Sequence, residues 1–126
     1  MTTILLVEDD PLQAFVRMSV LEKRFPDVRR VADAAEAFCL IEQRDFSQKL
    51  GLVIAGNHLP GLTGPEFVAE LHARMPGLPV LVLGDAAETA GDYAGDRVHF
   101  LAKPAGAEDI VRAAGQMMLR DGHKVA

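Results

Sequence analysis

Tryptophan is absent from the 126 residues, and tyrosine and cysteine occur once each. A lone cysteine excludes an intramolecular disulfide and a cysteine-only metal site. Long apolar runs are also missing, and none approaches the ~18 residues of a membrane span. Basic residues are outnumbered, 13 Lys plus Arg against 18 Asp plus Glu, for a formal net charge of −5. That argues against a dedicated nucleic-acid binder, which carries a basic face. No G-x-x-x-x-G-K segment occurs, so a P-loop nucleotide site is excluded. There is no internal repeat, no low-complexity tract and no linker to a second domain. What is present is an ordinary globular balance, 49% hydrophobic and 25% charged, and enough chain for one core without staples. The expectation is a single domain over 1–126, with its core over about 3–120 and a polar tail from Asp121. Met1-Thr2-Thr3 runs into Ile4–Val7 with no basic n-region, so a cytoplasmic protein with no membrane partner is expected.

The apolar segments alternate between two periods. Ile4–Val7, Leu50–Ala55, Pro79–Leu83 and Val98–Leu101 read as buried strands, and the half-polar Val28–Val31 as an edge strand. Between them lie helical patterns. Asp10-Pro11 offers a cap and a first-turn proline to a helix carrying Leu12, Phe15, Val16, Val20 and Leu21. Asp33 with Glu36, and Thr63 with Glu66, have capping-box spacing. The second helix places Ala37, Phe38, Leu40 and Ile41 inside, with Cys39 read as core beside them. Residues 44–50 and 56–64 read as loops. Gly84–Arg97 is glycine-broken and reads as short or irregular. A last helix runs from about Ala107 to Arg120. This is a (βα)5 chain: a three-layer α/β fold with a parallel five-stranded sheet in order 2-1-3-4-5. In such a sheet, chemistry belongs at the carboxyl ends of the strands, near the switch in strand order. Those ends carry Glu8-Asp9-Asp10, Gly56-Asn57-His58, Gly84-Asp85 and Lys103.

Four segments in order carry a family likeness: Ile4-Leu5-Leu6-Val7-Glu8-Asp9-Asp10-Pro11, Leu59-Pro60-Gly61-Leu62-Thr63-Gly64, Pro79-Val80-Leu81-Val82-Leu83 and Leu101-Ala102-Lys103-Pro104. With them the chain resembles the receiver domain of bacterial response regulators, the CheY-like family with its flavodoxin-like fold. The resemblance implies two-component, phosphorelay signalling and no enzyme. It implies an acidic pair that helps hold Mg²⁺, here Glu8 and Asp9. It implies a lysine that contacts the phosphoryl group, here Lys103, and a switch aromatic, here Phe100. Two family positions are lost. The phosphoacceptor aspartate, four residues before Pro60, is Gly56, and the Thr or Ser after the fourth strand is Gly84. The pattern is that of a degenerate receiver, a pseudo-receiver.

The consequences follow from the chemistry. With one carboxylate gone, Glu8 and Asp9 are expected to bind Mg²⁺ weakly at most, and no cofactor is required. Lys103 is expected to pair with those same carboxylates, and Phe100 to act as filling. His58 is expected to be a loop residue. The expected partner is another protein: a sensor kinase, an output protein, or a second copy through Met117 and Met118 on the last helix. No nucleic acid and no small-molecule substrate are expected. Two alternatives remain open: a receiver that accepts phosphate on Asp9 or Asp85 with Mg²⁺, and a small flavodoxin-like enzyme or cofactor binder. The acidic Glu8-Asp9-Asp10-Pro11 loop argues against the latter, because it repels a phosphate.

Overall fold

Strand β1 (Thr3–Val7) is buried along its whole length. Its side chains alternate between two cores: Ile4 and Leu6 on one face, Leu5 and Val7 on the other. Strands β3 (Leu50–Gly56) and β6 (Val80–Gly84) do the same. Leu52, Ile54, Leu81 and Leu83 join the first face, and Val53, Ala55, Val80 and Val82 the second. Double-sided burial is why these runs are continuously apolar. The computed structural model describes residues 2–56, 58–84, 97–102 and 106–122.

The main sheet has five parallel strands in the order β2-β1-β3-β6-β7, with β2 at Val28–Val31 and β7 at Val98–Ala102. Counting only these strands, the order is the expected 2-1-3-4-5. Helices α1 (Pro11–Arg24) and α5 (Ala107–Gly122) cover the first face. Helices α2 (Ala34–Ile41), α3 (Arg44–Lys49) and α4 (Gly64–Arg74) cover the second.

Several local expectations change. The polar stretch after α2 is not a loop but α3, a short helix whose Phe46 is buried and anchors it to the core. The segment before α4 holds a two-stranded antiparallel hairpin, β4 (His58–Leu59) with β5 (Leu62–Thr63). Its turn uses Gly61 at φ 75°, a conformation open to glycine. Cys39 is exposed, not core. The buried stripe of α2 is Ala34, Ala37 and Ile41, and Cys39 lies on the far side of it. Helix α1 turns Ala14, Met18 and Leu21 to the sheet, while Leu12, Phe15 and Val16 face outward. Met117 is buried, and Met118 is partly buried against the same core.

Candidate functional site

The three capping residues hold as expected. Asp10 accepts from the N–H groups of Leu12 (2.9 Å) and Gln13 (3.4 Å), seating α1 directly after β1. Asp33 accepts from Glu36 N–H (2.9 Å), and Glu36 reaches back to Ala32 N–H (2.7 Å). Thr63 and Glu66 form the full reciprocal box at 3.0 and 3.2 Å. Those backbone and hydroxyl donors hold the Glu66 carboxyl below its usual 4.5.

Glu8 follows β1 at the carboxyl edge of the sheet, where its N–H donates to Val31 O (3.0 Å). Its carboxylate is already engaged on both oxygens. Oε1 pairs with the Arg17 guanidinium from α1, and Oε2 accepts from Asp10 N–H (3.1 Å). Both side chains of the ion pair are 12% exposed. The Glu8 carbonyl oxygen accepts from Arg30 Nε and Nη2 at 3.0 and 2.7 Å. Two arginines therefore converge on Glu8, and the sequence reading named neither. The signal for Arg17 was its place three residues after Ala14 and four before Leu21, on the sheet-facing side of α1. For Arg30 it was the β1–β2 register, which sets Arg30 opposite Leu6.

Asp9 is exposed beside this cluster. Among the described residues no group of three or more His, Cys, Asp or Glu gathers to hold a metal ion. The donor set fits Mg²⁺ poorly. A divalent ion wants several hard oxygens, yet Arg17 holds Glu8 and the end of β3 is Gly56, paired with Leu83.

Gly84 ends β6 opposite Ala102 of β7. The Phe100 ring fills the space above it. A Cβ placed on Gly84 would meet Phe100 Cζ and Cε1 at well under the 3.0 Å that real Cβ atoms keep, and Cε2 at 3.4 Å. Phe100 is half-buried and packs against the second-face core. Asn57, Asp85, Lys103 and most of Gly84–Arg97 lie outside the described residues, as does His123. His58 sits on β4, His99 is exposed on β7, and His72 Nε2 bonds Leu78 O (2.8 Å). A cavity of about 450 Å³, lined by Thr2, Gly51, Met75, Leu78 and Met118 among others, lies at the opposite, amino-terminal end of the strands.

The profile of the response regulator receiver domain matches residues 4–115. The chain belongs to the response regulator receiver family. Members of this family are signalling units of two-component systems and not catalytic domains. Among curated proteins, the receiver is 26% identical over 128 residues to the probable transcriptional regulatory protein TcrX of Mycobacterium tuberculosis, covering 95% of this chain and 51% of that protein. It is 36% identical over 75 residues to the sensor histidine kinase AruS of Pseudomonas aeruginosa, covering 60% of this chain and 7% of the kinase. The chain thus spans about half the length of the first relative and a small part of the second. Solved structures share the fold. The signal receiver domain of an HD domain-containing protein from Pseudomonas fluorescens superposes with a TM-score of 0.82 at 23% identity, covering 97% of this chain and 98% of that one. A receiver domain protein from Clostridium thermocellum gives 0.80 at 18%, with the same coverages. Among the described residues no helix is long and apolar enough to cross a membrane.

Proposed function

We propose that this receiver signals by protein–protein contact without accepting a phosphoryl group at the end of β3. The observation that carries the reading is the pair of strand ends. Gly56 stands at the end of β3 with no nucleophile, and Gly84 stands at the end of β6 under the Phe100 ring. A phosphoryl acceptor needs a nucleophile together with cationic groups that neutralise the equatorial oxygens. Gly56 removes the first, and the Arg17 pair already uses Glu8, a member of the acidic pair that would hold the cation. An ordinary two-state switch also needs a ligand with different affinity for its two states. With phosphate and hydroxyl both gone, the domain rests in one conformation. It is regulated by its amount or by competition for a partner, a sensor kinase or an output protein.

The test is incubation with a small-molecule phosphodonor and Mg²⁺, followed by intact mass. The expected result is no added phosphoryl mass. A hydroxylamine-labile phosphoryl group mapping to Asp9 or Asp85 overturns the reading in favour of a surrogate carboxylate.

A further inference from the structure

We infer that the cavity at the amino-terminal end of the strands is a binding site for a small apolar monocarboxylate, with its apolar body in the cavity and its carboxylate on Lys49. The cavity comes from a mismatch in strand length. β3 begins at Leu50, but its register with β6 begins only at Val53, opposite Val80. The chain enters β6 through Pro76-Gly77-Leu78-Pro79, and a proline has no N–H with which to extend the ladder. The space beside Leu50 and Gly51 is left as a cavity of about 450 Å³. That volume lies within the roughly 300–1,000 Å³ of small-molecule sites.

The wall is preformed. Leu78 N–H donates to Met75 O (3.1 Å), His72 Nε2 donates to Leu78 O (2.8 Å), and Val53 N–H donates to Pro79 O (3.1 Å). A loop fixed by these bonds and two prolines loses little freedom when a ligand enters. Gly51 keeps the far side clear. A Cβ there would run into the Thr2 methyl and stand 3.7 Å from Met118 Sδ.

The lining selects the ligand. Leu50, Met75 and Leu78 pack with one core and Met118 with the other, so an occupant touches both layers at the end of the sheet. Such a surface takes an apolar body, and the two methionines adapt to its shape. Against it stands one charge. Lys49, the last residue of α3, is the only ionisable residue in the lining. It is exposed, and among the described residues it has no ion pair, Asp45 one turn earlier on α3 included. One cation beside an apolar wall matches one anionic head on an apolar body. An amine is repelled, and a dianion leaves its second charge unmatched.

The test is an amide NMR titration of the whole chain with octanoate, beside octanol and octylammonium as neutral and cationic probes of the same length. Octanoate should bind with a Kd of about 1 mM or tighter. It should shift the amides of Gly51, Leu78 and Met118 and leave those of Leu83 and Ala102, at the opposite strand ends, in place. Octanol should bind at least about fivefold more weakly, and octylammonium not measurably. Lys49→Glu, an exposed change outside the core, should exchange the preference, losing octanoate and gaining octylammonium. No shift with octanoate up to about 10 mM overturns the proposal. Equal binding of the three probes, shifts confined to residues away from the cavity, or an octanoate affinity unchanged in Lys49→Glu also overturns it. None of these results bears on phosphorylation, which is read separately by mass.

Discussion

Gly84 and Phe100 act as one unit, since the ring occupies the volume that any side chain at position 84 would need. Gly84→Ala should therefore overpack the site and destabilise the fold by about 1–3 kcal/mol. Phe100→Ala removes the obstacle, so in denaturant melts the double variant should lose less than the two single variants added together. Additive losses would show that the ring is not set by residue 84. The Glu8–Arg17 pair makes a second prediction. At 12% exposure on each side the pair is mostly shielded, so Arg17→Gln should cost about 1–3 kcal/mol by leaving a carboxylate without its cation. The same change releases Glu8. Calorimetric titration should then give tighter Mg²⁺ binding for the variant than for the parent, and equal affinities would mean that Arg17 does not compete for the site. Cys39 shows how a single residue escapes a sequence reading. It sits among apolar neighbours in α2, yet helical rotation carries it away from the stripe that faces the sheet.

Among the elements, α4 carries its own start signal. Thr63 and Glu66 exchange bonds across its first turn, and Pro65 stands where a missing N–H costs nothing. Because those bonds depress the Glu66 carboxyl below 4.5, they favour its ionised form in the folded state. Their contribution is full above the ordinary carboxylate value and is lost as pH falls through the folded one. An NMR titration should place the Glu66 midpoint below 4.5. Thr63→Ala should move it upward, because the hydroxyl partner is gone, and an unmoved midpoint would remove the capping box as its cause. The helix starts at Asp10, Asp33 and Thr63 were legible because a cap is a local event, made within three residues of itself. Helix α3 and the β4–β5 hairpin were not. Each is too short to show a period, and each is ordered by contacts beyond its own segment or by one glycine turn.

For the whole molecule, the missing chemistry should be separable from the fold. Gly56→Asp with Gly84→Thr restores a nucleophile and a hydroxyl at adjacent strand ends, with the Phe100 ring forced out of the volume it fills over residue 84. The double variant should accept a phosphoryl group from a small phosphodonor, and amide resonances around Phe100 should shift on phosphorylation. Acceptance with no movement near Phe100 would show that the switch has decayed as well as the acceptor. A parent that already exchanges between two populated states there would contradict a single resting conformation. The sequence by itself determined the architecture, the parallel strand order, the capping residues and the loss of side chains at 56 and 84, because these depend on local periods, short spacings and residue identity. Only the tertiary structure decided which face of α1 meets the sheet, that Arg17 and Arg30 close on Glu8, and that Phe100 fills the space over Gly84. The physical reason is that these contacts join residues far apart in the chain. Which of several similar helix faces turns inward is set by the fit against the sheet, where Ala14, Met18 and Leu21 pack and Leu12, Phe15 and Val16 are left to solvent.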